Sequence, residues 1–577
     1  MASARVEFFR ELLRLAGPYW SAERKWQARG SSALLFLLTV LQVGLTVWGN
    51  YWNRDLFDAL EARSVHGVLI QVGVFAAIFA SSIAVTAAHL LAKRKLQLDW
   101  RDWLTERLIG RWLEDGRHYR LSFSPGDHDN PDQRIAEDVR IATESAIGLV
   151  HTLVYSLLTL GLFVEILWSV SGSMALAGTS IEVPGYMVPL AFLYAGVGSA
   201  LGFFLGRPLV RATNALQTAE ANFRFGLAHA REHSEAIALA RGEPIERKGT
   251  VTRFARIIRD WDRQSLAFMG LVSFGTGYGG LLPVFPLLVA APQYIFGTMS
   301  LGALMQAAQA FQKLTSALSW PVDNIGELAN CRTAAGRVLS LYQGMERLDA
   351  ETHAPADSHR IQLGSCEGRH LVIENLCIAE PSGRVLLQHL DTEIRRGERV
   401  LIAGDPALTS SLFRVLGGLW PWGSGRVLLP QDGGVQFVPQ RPFLLEGPLR
   451  ESLCYPRPPD AFDDDALHHA LECAGIVWLA RRLDERSNWE QILPLRVQQR
   501  LSFARVILQR PGWIFLDEAT SAFSPKGERL TLEMLRRELP GSAVLTIRSQ
   551  PGLESLHDRT LVLQRAHEKQ SHDSAKA

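Results

Sequence analysis

Two adjacent acids at the end of an apolar run are the residues of this sequence best suited to chemistry. The run reads Trp513-Ile-Phe-Leu-Asp517-Glu518-Ala-Thr-Ser-Ala522. Its four apolar residues predict a strand. A strand that ends in Asp-Glu can place the first carboxylate on a magnesium ion and the second where it orients a hydrolytic water. Asp517 is therefore a candidate metal ligand, and Glu518 is a candidate catalytic residue.

Two motifs upstream extend this pattern. They read Val435-Gln-Phe-Val-Pro-Gln440 and Gln498-Gln-Arg-Leu-Ser-Phe-Ala-Arg505. Together with the acidic run, they resemble the Q-loop, the helix after the signature motif, and the Walker B and D-loop of ATP-binding-cassette (ABC) proteins. The resemblance implies that Gln440 contacts magnesium and communicates with membrane helices.

Further segments resemble a narrower group, the bacterial half-transporters of the BacA-like family. They include Gly17-Pro-Tyr-Trp20, Asn50-Tyr-Trp-Asn-Arg-Asp55, Asn130-Pro-Asp-Gln-Arg-Ile-Ala-Glu-Asp-Val-Arg140 and Gly418-Leu-Trp-Pro-Trp-Gly-Ser-Gly425. The resemblance covers residues 5 to about 565. It implies uptake of peptide antibiotics or cobalamin, with peroxisomal acyl-CoA half-transporters as more distant relatives.

The phosphate loop departs from the family pattern GxxxxGKS. This chain has Gly404-Asp-Pro-Ala-Leu-Thr409-Ser410-Ser411, so Thr409 replaces the second glycine and Ser410 replaces the lysine. The glycine lets backbone N–H groups turn toward the phosphates, and the lysine supplies positive charge. The resemblance assigns nucleotide binding to Gly404, Thr409, Ser410, Ser411, Gln440 and Asp517, and magnesium to Ser411, Gln440 and Asp517.

Other family positions differ as well. The signature region reads Pro494-Leu-Arg496-Val497, Ser524 replaces the D-loop aspartate, and Ser549 aligns with the switch histidine. We therefore expect weak or absent binding of ATP and Mg²⁺ and hydrolysis near background. The alternative is that Arg496, or an arginine of a partner, supplies the missing positive charge.

The elements that would position these residues belong to a long chain with two kinds of composition. Its 577 residues hold 60 Lys plus Arg against 59 Asp plus Glu, a balance that argues against a nucleic-acid binder. Its five cysteines are odd in number and lack a CxxC pair, so we predict neither a disulfide framework nor a zinc module. Six stretches nearly free of charge are predicted to span a membrane as helices: 31–52, 68–92, 146–170, 186–206, 266–290 and 299–322.

Charge between these stretches predicts the orientation. The segment 93–140 holds ten Lys or Arg and 207–263 holds eleven, whereas the connections after the third and fifth spans hold none. The positive-inside rule then places the N-terminus and the C-terminal domain in the cytoplasm. The resemblance to bacterial half-transporters implies that the membrane is the bacterial inner membrane.

The predicted fold is an exporter-like helical membrane domain fused to a C-terminal α/β nucleotide-binding domain of the P-loop type. We divide the chain into an amphipathic elbow (1–30), a transmembrane domain (31–341), a linker (342–365), an ATP-binding-like domain (366–565) and a disordered tail (566–577). The α/β assignment depends on short apolar runs at 371–373, 399–403, 435–438, 513–516 and 543–547, which alternate with helical patterns.

Few polar side chains of the predicted spans could bind or transfer an ion. Glu165 is the only acid in them and is a candidate for proton coupling, although snorkelling to the outer interface is at least as good an account. His89 and His151, near inner span ends, are interpreted as interfacial. The cluster Asp127-His128-Asp129 with Asp132 is better explained by helix capping and a contact with the cassette than by a metal.

The resemblance thus implies a half-transporter for a peptide or similarly bulky solute, working as a homodimer, with a heterodimer as the alternative. Three hypotheses stay open: an ATP-driven transporter with an atypical site, a proton-coupled or passive permease with a structural cassette, and a non-transporting partner subunit.

Overall fold

The chain divides into two units, and a short early segment packs with the later one. The computed structural model describes residues 10, 13–123, 130–175, 182–352, 360–366, 370–547 and 554–565. The first unit comprises Met1–Arg111 and Asp127–Gln343, and the second comprises Trp112–Gly126 and Gly344–Ala577. The membrane-like and cassette-like parts of the sequence therefore pack around separate cores.

The first unit is almost entirely helical. Its helices are α1 (Pro18–Ser21), α2 (Lys25–Glu61), α3 (Val65–Leu113), α5 (Pro131–Gln133), a π-helical turn (Arg134–Asp138), α6 (Val139–Ser171), α7 (Met187–Glu232), α8 (Ser234–Leu239), α9 (Glu243–Leu281), α10 (Phe285–Ile295), α11 (Leu301–Leu318), α12 (Trp320–Asp323) and α13 (Ile325–Thr352), while α4 (Arg117–Arg120) belongs to the second unit. Strands β1 (Ser173–Ala175) and β2 (Glu182–Pro184) pair antiparallel between α6 and α7.

Five helical stretches are long and apolar enough to cross a membrane. They are Lys25–Glu61, Val65–Phe123, Pro131–Ser171, Met187–Glu232 and Glu243–Ile295, and each overlaps one of the first five predicted spans. Large apolar side chains point outward from them, such as Phe79, Leu91 and Phe204. Such exposure is unfavourable in water and favourable in lipid, so these helices are suited to a bilayer.

The sixth predicted span, 299–322, lies on α11 and α12. Among the described residues, α11 occupies this position but is too polar to count as an apolar span, since it carries Gln306 and Gln309. It packs against α2, α6 and α7, and Gln306 is fully buried. The Asn50 amide donates to Gln309 Oε1 at 2.9 Å and to the Gln306 carbonyl at 3.2 Å. Hydrogen bonds between helices, such as that of Asn50 with Gln309, occur in membrane domains, so the polar residues of α11 are compatible with a membrane-spanning helix.

The fifth predicted span, 266–290, is interrupted. Helix α9 ends at Leu281 and α10 begins at Phe285, with Pro283 in the turn between them. Proline lacks an N–H donor and its ring clashes with a continuing helix, so the break follows from the sequence.

The predicted linker, 342–365, is too long at both ends. Helix α13 runs through the boundary at 341/342 to Thr352, and its Leu341, Met345 and Leu348 are buried. Strand β3 (Gln362–Cys366) lies inside the predicted linker at its other end. Residues 353–359, in the middle of the predicted linker, lie outside the described part of the chain.

The second unit contains the predicted α/β domain. Its strands after β3 are β4 (His370–Ala379), β5 (Val385–Arg395), β6 (Arg399–Gly404), β7 (Gly423–Pro430), β8 (Val435–Val438), β9 (Glu446–Pro448), β10 (Arg486–Asn488), β11 (Trp513–Asp517), β12 (Ala543–Ile547) and β13 (Arg559–Leu563). Its helices after α13 are α14 (Pro406–Leu416), α15 (Leu449–Cys454), α16 (Asp464–Cys473), α17 (Trp489–Ile492), α18 (Leu495–Gln509) and α19 (Pro525–Glu538), with 3₁₀ turns at Glu114–Gly116, Leu121–Phe123, Pro459–Ala461, Val477–Arg482 and Glu554–Leu556.

Its two main sheets confirm the sequence-based fold class. One is fully parallel in the order β13-β6-β12-β11-β8, and the other has the order β3-β7-β4-β5 with β4 antiparallel to both of its neighbours. All five apolar runs that predicted strands are strands. Leu408, Leu412 and Val415 bury one face of α14 against these sheets, which fixes the helix that follows β6.

The early segment of the second unit forms an aromatic cluster with the cassette. The Phe123 ring centroid lies 5.6 Å from that of Trp420 and 5.8 Å from that of Trp422. Arg117 Nε donates to Asp349 Oδ1 at 2.6 Å. The two tryptophans belong to the Gly418–Gly425 motif, so that motif is used here for packing. Of the acidic cluster next to this segment, Asp127, His128 and Asp129 lie outside the described residues, whereas Asp132 is exposed on α5.

Candidate nucleotide site

The site begins where β6 ends at Gly404. This residue pairs with Leu563 of β13, and a Cβ built on it would lie 2.6 Å from the Leu563 carbonyl oxygen. Its φ is +152°, a conformation that side chains disfavour. Glycine is therefore required here by the close approach of a neighbouring strand, before any ligand is considered.

Asp405 caps the helix that follows. Its Oδ1 accepts a hydrogen bond from the Ala407 N–H at 2.8 Å, and its carbonyl accepts from the N–H groups of Leu408 and Thr409 at 3.0 and 3.1 Å. Pro406 stands at the first helical position, where a missing N–H costs nothing. Helix α14 thus begins inside the stretch assigned to the phosphate loop. The amides that such a loop would offer to phosphates are bonded within the helix and its cap.

The hydroxyl groups at the start of α14 differ in accessibility. Thr409 Oγ1 donates to the Pro406 carbonyl at 3.1 Å, and Ser411 Oγ donates to the Ala407 carbonyl at 2.7 Å. Their residues are 3% and 4% exposed. Ser410 is only half-buried. The predicted magnesium ligand Ser411 is therefore turned toward its own helix, and Ser410 is the accessible hydroxyl of the three.

Asp517 and Glu518 stand at the end of β11, between β12 and β8. Burial raises the pKa of the Asp517 carboxyl, the adjacent Glu518 raises it further, and Arg414 on α14 opposes both. Glu518 has a left-handed φ of 47°, and its N–H donates to the Ile547 carbonyl at 3.1 Å. Because of this backbone turn, the carboxylates of Asp517 and Glu518 point in different directions.

The structure brings Gln440 and Glu518 together. Gln440 Nε2 donates to Glu518 Oε2 at 3.1 Å. The structure therefore places the candidate catalytic acid in contact with the residue of the Q-loop-like segment, although 78 residues separate them in the sequence.

Gln499 positions both segments and was missed as a site residue. Its side chain is fully buried and donates to the Gln440 carbonyl at 2.9 Å and to Ser521 Oγ at 3.0 Å. Its Oε1 accepts from the Ala522 N–H at 3.1 Å. The only sequence signal was the Gln498-Gln499 pair inside a motif interpreted as helix.

Comparison with known proteins identifies this architecture. The chain is 30% identical over 556 residues to the Escherichia coli "Inner membrane ABC transporter ATP-binding protein YddA", with 95% of this chain and 96% of that protein covered. The chain belongs to the ABC transporter family. Residues 18–275 match the family described as ABC transporter transmembrane region 2.

Two further comparisons report another relative of this ABC half-transporter and a solved structure with the same fold. The mouse "Lysosomal cobalamin transporter ABCD4" is 27% identical, over 97% of this chain and 94% of that protein. The structure of a bacterial Atm1-family ABC exporter with ATP bound superposes with a TM-score of 0.70 at 16% identity and covers 93% of both chains. The transporter therefore has the exporter fold and is a multi-pass membrane protein. ABC half-transporters generally dimerise, and their family uses ATP and Mg²⁺.

The remaining cassette positions serve local structure in this transporter. Arg496 is exposed in the first turn of α18, after Pro494. Ser524 caps α19, and its Oγ accepts from the Gly527 N–H at 3.2 Å. Ser549, which aligns with the switch histidine, lies outside the described residues.

In the membrane helices, the structure separates the predicted polar residues. Glu165 is exposed on α6 and is not buried within this chain. His89 and His151 instead come together, with ring centroids 4.2 Å apart. Among the described residues, both ring nitrogens of His151 and Nε2 of His89 are buried without a hydrogen-bond partner. His151 also lines an apolar cavity of about 210 Å³ together with Trp20 and Trp100.

Proposed function

We propose that this chain is a half-transporter for a peptide or similarly bulky solute whose cassette binds ATP weakly and hydrolyses it near background. The observation that carries the weak-binding part is the Asp405 carboxylate at the N-terminus of α14. A helix N-terminus attracts anions, and here the chain supplies its own.

Electrostatics gives the size of the effect. A phosphate at this helix end would have to displace the Asp405 carboxylate or lie beside it. Two like charges 4 Å apart repel by about 1 kcal/mol in water and about 4 kcal/mol at an effective dielectric constant of 20. The lost lysine removes a charge-assisted hydrogen bond worth roughly 1.5 to 3 kcal/mol. Together, even the lower values weaken binding by about 60-fold.

The solute class is supported by relatives rather than by a cavity. One mammalian relative carries the name of a cobalamin transporter, and the sequence resembles bacterial uptake systems for peptides or cobalamin. We propose a homodimer in the bacterial inner membrane, with the N-terminus and cassette in the cytoplasm. A heterodimer is the alternative. In the family, each ATP lies between the phosphate loop of one cassette and the signature of the other, so a second copy would bring its own altered Pro494–Val497 segment to each site.

The test measures Mg-ATP binding and phosphate release by the purified full-length chain in nanodiscs. The comparison variants are Glu518→Gln and a triple variant with Asp405→Asn, Thr409→Gly and Ser410→Lys. We expect the unmodified chain to release phosphate no faster than Glu518→Gln and to bind ATP at least about tenfold more weakly than the triple variant. Turnover that Glu518→Gln abolishes would overturn this part and support an ATP-driven transporter with an atypical site.

Transport is tested separately. Cells that express only this chain are given cobalamin or a toxic peptide, and uptake is compared with cells without it. We expect uptake of one of the two. Absence of both would contradict the transport proposal and favour a non-transporting partner subunit.

A proton-coupled permease is a second candidate, and the His89–His151 pair favours it. The two histidine rings are in contact and hold three buried, unpartnered ring nitrogens, so they form a titratable site, whereas Glu165 is exposed on α6. In proteoliposomes, an imposed pH gradient should drive solute uptake, and His151→Gln should abolish the drive while Glu165→Gln leaves it. Loss with Glu165→Gln alone would return the proton site to that carboxylate. Uptake indifferent to the gradient would reject this candidate.

A further inference from the structure

Three metal-ligating side chains converge on the cassette, away from the nucleotide site. His469 and Cys473 lie one turn apart on α16, and Glu538 is the last residue of α19. His469 Nε2 lies 3.6 Å from Cys473 Sγ and 3.5 Å from Glu538 Oε2. One ligand atom from each residue can be chosen so that all three are within 4.8 Å of one another.

These separations are those of a tetrahedral zinc site. Zinc binds sulfur at about 2.3 Å, histidine nitrogen at about 2.0–2.1 Å and carboxylate oxygen at about 2.0–2.2 Å. Ligand atoms at tetrahedral angles and such bond lengths are about 3.3–3.7 Å apart. The two measured separations fall in this range, so only the sulfur and carboxylate oxygen need to approach each other further.

The packing of the two helices holds the ligands in place. Leu467, Ala470 and Leu471 bury the opposite face of α16 in the same apolar core that holds Leu535 of α19. This packing fixes the distance between the two helices.

The site is open to solvent, and a neighbouring side chain orients one of its ligands. The His469 side chain is 51% exposed, so an ion can enter from solvent. Arg537 Nε donates to Glu538 Oε1 at 2.9 Å, which orients the carboxylate and leaves Oε2 toward His469.

We propose that His469, Cys473 and Glu538 bind a zinc ion, with water or an added ligand in the fourth position. Binding replaces the thiol proton of Cys473 with the metal and releases that proton to solvent. The ion would link the C-terminal ends of α16 and α19 across the surface of the cassette. The absence of a CxxC pair argued against a zinc module in the sequence. The three ligands proposed here include one cysteine only, and the third comes from another helix.

The experiment uses the full-length chain without a histidine tag, in nanodiscs. Zinc is titrated against a chromophoric chelator, and Co²⁺ is used as a probe because thiolate ligation gives a charge-transfer absorption band. Cys473→Ser and His469→Ala remove ligands. His468→Ala is the matched control, because this neighbouring histidine is exposed on the same helix and is not part of the cluster.

We expect one zinc ion per chain at this site and a thiolate–cobalt band. Each ligand variant should weaken zinc binding at least tenfold, Cys473→Ser should abolish the band, and His468→Ala should change neither. Zinc should also raise the thermal unfolding midpoint of the unmodified chain but not of the ligand variants. An absent band, or zinc affinity unchanged by both ligand variants, would overturn the proposal. So would zinc binding that is lost only when His229 and His233, whose rings contact on α7, are replaced.

Discussion

Replacing Asp405 with asparagine tests the central electrostatic argument about the cassette. The Asp405 Oδ1 atom accepts from the Ala407 N–H at 2.8 Å, and an asparagine carbonyl oxygen can accept the same bond. Asparagine and aspartate are about equally good N-caps, so helix α14 should keep its start. The substitution therefore removes one negative charge and its exposed ion pair with Arg565, whose Nη1 lies 3.9 Å from Asp405 Oδ2.

The expected change in ATP affinity follows from the exposure of Asp405 and its distance from a bound phosphate. The Asp405 side chain is 38% exposed, so its repulsion of a phosphate about 4 Å away lies toward the aqueous end of the range, at about 1–2 kcal/mol. Removing it should tighten ATP binding roughly 5- to 30-fold. The free energy of unfolding should change by no more than about 0.5 kcal/mol, because the cap is kept.

Equilibrium binding of a fluorescent ATP analogue to the full-length protein in nanodiscs measures this change. Asp463→Asn is the matched control, because Asp463 caps α16 in the same way, accepting from the Ala466 N–H at 2.7 Å. Asp405→Asn should tighten binding more at low than at high ionic strength, since salt screens the repulsion. Asp463→Asn should have no effect.

Two results would refute the reasoning. Unchanged or weaker ATP binding by Asp405→Asn would mean that the phosphates do not lie near this carboxylate. Equal tightening by both variants would mean that only the overall charge of the cassette matters.

Three further predictions follow from the same region. Ser410→Ala should weaken residual Mg-ATP binding more than Ser411→Ala does, because the Ser411 hydroxyl is hydrogen-bonded to the Ala407 carbonyl. If a binding titration gives the reverse order, Ser411 is the accessible ligand instead. Gln499→Leu breaks three hydrogen bonds of a fully buried residue and should lower the free energy of unfolding by about 2–4 kcal/mol. Gln509→Leu breaks one hydrogen bond, to the Cys454 carbonyl, and should cost about 1 kcal/mol; equal losses in denaturant unfolding would contradict this. Burial and Glu518 raise the pKa of Asp517 above its ordinary 3.8. The folded state therefore binds the proton of the Asp517 carboxyl more tightly than the unfolded state does. The stability that this protonation contributes is lost as pH rises through the raised pKa. Asp517→Asn should therefore stabilise the cassette at neutral pH, with a gain that vanishes below about pH 4; a gain in the unfolding midpoint that is independent of pH would exclude this cause.

Much of the fold was predictable because it is recorded in local composition. A run of apolar residues near the length of a bilayer predicts a membrane helix wherever it occurs, and short apolar runs between helical patterns predict parallel strands. The five cassette runs, including 399–403 and 513–516, are strands in the structure. Helix α11, in the sixth predicted span, is less apolar than the other five stretches and packs against other helices of the chain.

The sequence by itself also determined which residues are absent from the family pattern, since the loss of a lysine at Ser410 needs no coordinates. Only the tertiary structure decided how those positions are used. The capping by Asp405, the inward turn of Ser411 and the joining of Gln440 to Glu518 through Gln499 depend on where backbone groups of different segments meet. The pairing of His89 with His151, and of α16 with α19 around three metal-ligating side chains, likewise joins distant residues. Composition reports what each residue prefers, whereas hydrogen bonds and charge pairs depend on distances of a few ångströms that only the packed chain sets.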